Sequence, residues 1–294
     1  MALQTSNITL PRRVVVDVIN KAKGISTIAT LSPSQPQLFI DEDHLVFNPS
    51  SEAEVVAEGA KKSSYEQTLN PVEGKRVKLV TNTRVSSELL WADEDAQLAI
   101  IEKITEDQAL ALARAIDYVI YHAIDPKSGT TLSGYTSLIS GAVKVASDAD
   151  ESKNIDAMAD ALIDYNINGL ALSREFASAL RKIRVSATGG RLYPEIPLSL
   201  NTGEVDGIPA STSNTVDGAL AKTATKVRAI MGDFSAIKWG MVRDAVSEVI
   251  PYGDPDGTGV DLKNVNQVAY RTESVFTYAV LDPKAFAYLE KAAA

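Results

Sequence analysis

The residues best placed to do chemistry lie in one short loop. Asp254, Asp256 and Asp261 stand with Gly257 and Gly259 in a D-x-D-G-x-G-x-D pattern. Carboxylates spaced along a sharply turned backbone suit a hard cation, and the pattern superficially resembles a calcium loop. It lacks the closing Glu of an EF-hand. Asp and Gly are also turn formers, so the same residues read as a flexible turn, and no metal is assigned. There are two histidines, His44 and His122. His122 falls near the C-terminal end of a long helical stretch, where a cation is favoured, and takes a structural role. Gly129 to Gly134, GTTLSG, lacks the lysine and the spacing of a phosphate cradle. There is no GxGxxG and no GxSxG. No cofactor follows from these residues, and enzymatic turnover is not expected.

The element most able to position anything else runs from Asp93 to Ala123, DEDAQLAIIEKITEDQALALARAIDYVIYHA, with neither Gly nor Pro. Asp93, Glu94 and Asp95 suit the positive end of a helix dipole. Leu112, Ile116, Val119, Ile120 and Ala123 recur at helical spacing and form an apolar stripe. At 1.5 Å per residue the helix is about 45 Å long, a spine across an extended subunit. Ahead of it, Met1 to Thr9 reads as an extended arm and Pro11 to Ala22 as a short helix. Ser26 to Ala29, Gln37 to Ile40 and Leu45 to Phe47 read as strands. Asn48 to Gly74 is a long polar excursion, and Arg76 to Arg84 alternates like a strand. Two strands around a polar excursion suggest a protruding two-stranded loop. Such a ribbon is marginal alone in water, and it makes sense lying on a neighbouring subunit.

After the spine, Ile124 to Gly141 reads as a connecting loop. Ile155 to Tyr165 and Arg174 to Arg184 read as helices, the second capped by Ser173. Asn168 to Leu172, Leu198 to Leu200, Gly207 to Ala210, Ala229 to Met231, Asp244 to Ile250, Asn266 to Arg271 and Val275 to Val280 read as strands. Ser235 to Gly240 is a brief helical or turn segment. Lys284 onward is a short C-terminal turn. Mixed order without regular alternation argues an α+β fold, with a globular part near 124–261 inserted between the spine and the final strands.

The chain has 294 residues, 45% hydrophobic but only 6% aromatic, so its core is mainly aliphatic. The net charge of −9 argues against a reader that works by neutralising phosphates. No cysteine is present, which removes disulfides and thiolate metal sites and fits a reducing compartment. No apolar run reaches a membrane span. The N-terminal VVVDVI run, broken by Asp17 and without a cleavage site, is not a signal peptide.

Three stretches carry a resemblance. AEVVAEGAKKSSYEQT followed by VKLVTNTRVSSELL resembles the elongated-loop region of tailed-phage major capsid proteins of the Hong Kong 97 type. SREFASALRKIRVSATGGRLYP followed by GIPASTS resembles the centre of their axial domain. MGDFSAIKWGMV and YRTESVFTYAVLDPKAFAYL resemble the closing part of the family. The order is right, and nearly the whole chain is covered.

The resemblance implies an N-terminal arm (1–35), an elongated loop and spine helix of a peripheral domain (36–123), an axial domain (124–262) and a return to the peripheral domain (263–294). It implies self-assembly into pentamers and hexamers that close an icosahedral head shell around double-stranded DNA. The location is the virion, with assembly in the host cytoplasm. The chain lacks the long charged helical segment that precedes the arm in some relatives. With Met1 as the start, a separate scaffolding protein is expected, besides a portal and a decoration protein. Some members of the family join a loop lysine to an asparagine of another subunit, with a glutamate as base. Matching VVAEGAKK places Lys62 at the lysine position. Counting back from Asp282-Pro283 places Asn266 and Glu273 at the other two. The amine must be neutral to attack, which an apolar site and a carboxylate base favour. The plainer reading makes Lys62 a solvated charge, Asn266 a strand-edge residue and Glu273 a salt-bridge partner. An encapsulin-like compartment shell has the same fold and is the alternative. A soluble enzyme using the Asp-rich loop is a third reading.

Overall fold

The computed structural model describes residues 26–35, 43–47, 53–64, 69–88, 94–186, 189–222 and 225–291. The expected arm, the helix at 11–22 and the strand at 37–40 lie outside them. In chain order the elements are helix α1 (Thr27–Leu31), strands β1 (Asp43–Phe47), β2 (Leu69–Glu73) and β3 (Lys75–Ser86), and helix α2 (Glu94–Asp117). Then come α3 (Leu138–Gly141), β4 (Val143–Ala146), α4 (Ser152–Asp160), β5 (Gly169–Leu172) and α5 (Arg174–Lys182). Strands β6 (Glu204–Val205), β7 (Ile208–Thr212), β8 (Val227–Gly232), β9 (Ile237–Ile250), β10 (Gln267–Val280) and β11 (Phe286–Glu290) complete the chain. No helix among the described residues is long and apolar enough to cross a membrane.

The expected spine is α2, extended by a π-helical turn at Tyr118–His122. The wider turn ends at Ala123, a left-handed residue whose N–H donates back to Tyr118 and Val119. Leu112, Ile116, Val119 and Ile120 are buried, as the apolar stripe requires. They join Val77, Leu79, Phe276 and Trp239 of an antiparallel sheet ordered β3-β10-β9. Gln108 fixes the helix on that sheet. Its amide donates to the Tyr270 carbonyl at 2.9 Å and accepts from Thr272 Oγ1 at 2.5 Å.

The second sheet is mixed, ordered β4-β11-β8-β5-β7-β6. Leu170, Leu172, Ala229, Met231, Ala287 and Leu289 face α4 and α5, packing on Met158, Leu162, Phe176 and Leu180. Ala171, Ile230 and Phe286 face the other way, onto the core shared with the spine. Both faces are covered, which is why β5 and the Ala229–Gly232 part of β8 are apolar rather than alternating.

Several expected elements differ. Ser26 to Ala29 is not a strand: Ser26 caps α1 through its hydroxyl, and tertiary contacts to Asp117 override the β-branched composition. Leu198 to Leu200 is a turn. The two late strands are one, β10, because Thr272, Glu273 and Ser274 stay in register with both neighbours or with β3 alone past a bulge. β9 begins already at Ile237, where a helical or turn segment was expected. The C-terminal stretch is β11 rather than a turn. Phe286 and Leu289 bury opposite faces of the second sheet, so burial decides against the helix-forming alanines. α3 falls in the stretch read as loop, and β4 lies just beyond it, where no element was expected.

Strand pairings cross the boundaries expected from the sequence. β9, from the stretch taken as axial, pairs with β10 in the spine-side sheet. β11, taken as returning to the peripheral part, pairs with β8 and β4. The ribbon is present: β1 pairs antiparallel with β2, Asp43 opposite Glu73 and Phe47 opposite Leu69.

Candidate assembly site

Beyond the ribbon the described part of the loop, 53–64, is exposed almost throughout, and Val55 is completely exposed. Lys62 stands on this segment in solvent. Asn266 is not a strand-edge residue. It is the left-handed C-cap (φ 50°) of the short helix Leu262–Val265, exposed just before β10, and its carbonyl accepts from Ser87. Glu273 sits in the middle of β10, opposite Val80 on one side and Val246 on the other. Its carboxylate pairs with Lys78 at 3.0 Å. Asn266 and Glu273 are therefore about 20 Å apart along one strand at ~3.3 Å per residue. One chain does not bring these two groups together.

The face of the β3-β10-β9 sheet that carries Glu273 is polar and partly open, with Lys78, Arg271 and Asn82 around the exposed Val80 and Val246. The opposite face is closed by the spine. Glu273 thus lies on an outward surface with its charge already matched.

The Asp-rich loop is organised around a guanidinium. Arg84 Nε donates to Asp256 Oδ2 at 2.8 Å, and Nη2 donates to Asp254 at 2.8 Å and Thr258 at 2.7 Å, with a further contact to Asp256. Asp254 also accepts from the Thr258 and Gly259 amides, and Asp261 from Gly253. Asp254 and Asp256 of the calcium-like pattern face Arg84. Among the described residues no group of three His, Asp or Glu is disposed to hold a metal ion.

Sequence reasoning missed a fully buried polar site among the described residues. Asp117, in the last turn of the spine, is completely buried and accepts from five donors. These are the Ser26 hydroxyl, the Thr27 amide and hydroxyl (both 2.9 Å), the Ile28 amide (3.3 Å) and the Thr215 hydroxyl (2.5 Å). Tyr121 shares the Thr27 hydroxyl at 2.9 Å. Burial pushes the Asp117 carboxyl up, and the hydrogen bonds pull against it. His122 Nε2 lies 3.1 Å from the Thr215 carbonyl, so that nitrogen carries the proton. Burial lowers this imidazole to about 4. Both groups bind the segment entering from the N-terminus and the loop at 213–216 to the end of the spine. The only signal in the sequence was an Asp inside an apolar run, Ala115 to Ala123.

With this geometry described, likeness to known proteins adds identity. The profile described as Phage capsid family matches residues 7–291. No curated protein sequence matches the chain. Among solved structures, a chain of Mycobacterium phage Ogopogo is similar at 33% identity and a TM-score of 0.82, with 92% of each chain covered. A chain of Gordonia phage Cozz is similar at 30% identity and a TM-score of 0.73, covering 92% of this chain and 87% of its own. A chain described as the capsid of a native GTA particle computed with C5 symmetry shares the fold, at 16% identity and a TM-score of 0.60 over 93% and 91% of the two chains. The α+β fold expected from the sequence is thus the Hong Kong 97 type, and an encapsulin-like compartment is not favoured. The chain belongs to the phage capsid family, as a major capsid protein of a bacteriophage head.

Proposed function

We propose that copies of this chain self-assemble as pentamers and hexamers into a closed icosahedral shell around double-stranded DNA. The observation that carries the proposal is the β1–β2 ribbon with its exposed extension. A two-stranded ribbon bearing a fully exposed Val55 and a 64% exposed Leu45 is marginal in a lone subunit. It becomes worthwhile when a second copy covers it. In this proposal 1–35 is the arm, 36–123 the loop and spine, 124–262 the axial part and 263–294 the return, with β9 and β11 exchanged between the two sheets. A scaffolding protein, a portal and a decoration protein are the partners. Assembly takes place in the host cytoplasm, and the shell ends in the virion. The net charge of −9 suits a container that encloses DNA without gripping its phosphates. Light scattering and negative-stain microscopy of the purified protein, alone and with co-expressed scaffold, test this. Closed shells or rings of five and six support it, and a persistent small oligomer under both conditions overturns it.

The second proposal is covalent. The neutral Lys62 amine attacks the side-chain carbonyl carbon of Asn266, a C–N bond forms, and ammonia leaves. Glu273 takes the proton from the attacking nitrogen and returns it to the leaving one. In this proposal Asn266 and Glu273, which stand apart in one chain, come from different copies. Lys78 must leave Glu273 for the base to act, because its ammonium occupies the carboxylate that has to take the proton. Denaturing gels of mature particles test it. A ladder that Lys62→Arg abolishes, with shells intact, supports the reaction, and a single monomer band refutes it.

A further inference from the structure

One hairpin gives a lone subunit an unfavourable arrangement. Residues 183–186 leave the C-terminus of α5 and residues 189–192 return beside them, with the Gly189 amide donating to the Ser186 carbonyl at 3.0 Å. The Leu192 amide donates to the Ile183 carbonyl and the Val185 amide to the Gly190 carbonyl, each at 3.1 Å. Between those bonds Arg184 stands directly opposite Arg191. The flanking bonds make this a non-hydrogen-bonded pair, the kind in which side chains approach most closely. Like charges directly opposite each other destabilise such a pair. Arg181 and Lys182 in the last turn of α5 add to the positive field, and the Arg181 Nε is buried without a partner. The opposite side of the hairpin carries Val185, 70% exposed, and Leu192, 39% exposed. Among the described residues no carboxylate forms an ion pair with Arg184 or Arg191.

The same part of the chain offers a surface of the other sign. Glu195 accepts from the Asp206 amide at 3.2 Å in the turn between β6 and β7. Asp156 on α4 joins them around Tyr193, whose ring packs beneath in the core. All three carboxylates are exposed, and among the described residues none has an ion-pair partner. A cationic hairpin and an anionic surface that form no ion pair with each other among the described residues are complementary between copies.

We propose that the 183–192 hairpin is a ring contact, its paired arginines seated head to tail on the Asp156–Glu195–Asp206 surface of the neighbouring copy. The proposal rests on the shell reading above and names one interface of it. A contact between two different patches of identical chains is heterologous, and such contacts close into rings when the rotation allows. The occupant is a second copy rather than nucleic acid for two reasons. The chain carries a net charge of −9, and the exposed carboxylates of Asp156, Glu195 and Asp206 offer on every copy the counter-charge that the arginines lack. Seating the arginines against carboxylates removes the repulsion between them, so the hairpin is more stable in the ring than alone.

The test is Arg184→Glu, examined for rings and shells with the same scaffold as the parent chain. The substitution turns the Arg184–Arg191 repulsion into attraction within the subunit, while placing a like charge against the neighbour's acidic surface. The expected result is a Tm of the unassembled subunit equal to or above the parent's, with the yield of rings and shells at 0.1 M salt down about tenfold or more. Adding Glu195→Lys to Arg184→Glu should recover assembly, and parent assembly should slow as salt screens the contact. Parent-like yield from Arg184→Glu overturns the proposal. So does lost assembly with a lowered Tm, which marks a role inside the subunit. Parent-like assembly with weakened retention on DNA overturns it in favour of a phosphate contact. If the parent itself forms no rings or shells with scaffold, it is the shell reading that fails.

Discussion

Replacing Asp117 should loosen α1 from the spine before anything else. The two carboxylate oxygens divide the donors. Oδ1 takes the Ser26 hydroxyl and the Ile28 amide, and Oδ2 takes the Thr27 amide and hydroxyl and the Thr215 hydroxyl. Asp117→Asn keeps one oxygen. The amide flips so that this oxygen meets the 2.9 Å Thr27 N–H, hydroxyls rotate to accept from the new NH2, and the long Ile28 bond is lost. One weak buried hydrogen bond against relief of a buried charge gives a cost of about 1–2 kcal/mol. Asp117→Ala removes both oxygens and orphans two backbone N–H groups in the core, at about 3–5 kcal/mol. For a chain of this size that is roughly a 10 °C drop in Tm, at about 2–4 °C per kcal/mol. The assay is thermal unfolding of unassembled subunits, joined to hydrogen exchange at the Thr27 and Ile28 amides. Exchange should accelerate at both in the Ala variant and mainly at Ile28 in the Asn variant. If Ala costs no more than Asn, or if exchange at both amides is unchanged, the carboxylate does not hold α1 on the spine.

Acid should weaken the subunit through His122. Burial holds its folded pKa at about 4 against an ordinary imidazole value of 6.5, so between those values the unfolded chain binds a proton that the folded chain refuses. Stability is then full above pH 6.5 and falls as pH drops toward 4, by about 3 kcal/mol in all; His122→Gln should flatten that slope in urea titrations at stepped pH. Arg84→Ala should open the 251–261 loop to proteases while millimolar calcium leaves the Tm of both parent and variant unchanged; a calcium-dependent rise in either would restore the cation reading of Asp254 and Asp256. Gly232→Ala should cost about 1–3 kcal/mol, since a Cβ there would stand 2.3 Å from the Ala285 carbonyl oxygen and 2.7 Å from the Phe286 ring. A calorimetric Tm within a degree of the parent would show that the β8–β11 crossing yields more readily than its packing suggests.

How far the fold could be read in advance depended on what decided each element. The spine was legible because length, charge at its start and an apolar stripe all act locally, and α5 was legible from Ser173 and its amphipathic face. β10 was read as two strands because Thr272, Glu273 and Ser274 look like a polar break. In the sheet Thr272 is buried against Gln108, and Glu273 is matched by Lys78, so the polar residues have partners that local pattern cannot supply. β11 was hidden for a similar reason. Its alanines favour helix, yet a central position between β4 and β8 buries both of its faces. α1 was misread because its N-terminus is satisfied by a residue far away in sequence, Asp117. In each case a tertiary partner outweighed a propensity of a few tenths of a kcal/mol.

The candidate site was harder to read because its residues are ordinary one at a time. Lys62, Asn266 and Glu273 came from a resemblance, and in one chain they remain an exposed lysine, a left-handed cap and a paired carboxylate. Asp117 and His122 behave in the opposite way. Each is buried with its partners inside the subunit, which marks them as parts of the subunit's own architecture. That contrast sorts the polar residues of an assembling protein. A group whose demands are met within the chain serves the fold. A feature that costs the lone chain something, such as the open β1–β2 ribbon, the solvent-facing Val55 or the opposed Arg184 and Arg191, requires a compensating contact elsewhere. By this criterion the Arg84 clamp on Asp254 and Asp256 belongs with the fold despite its motif-like sequence, and the 183–192 hairpin belongs with the shell despite having no motif at all.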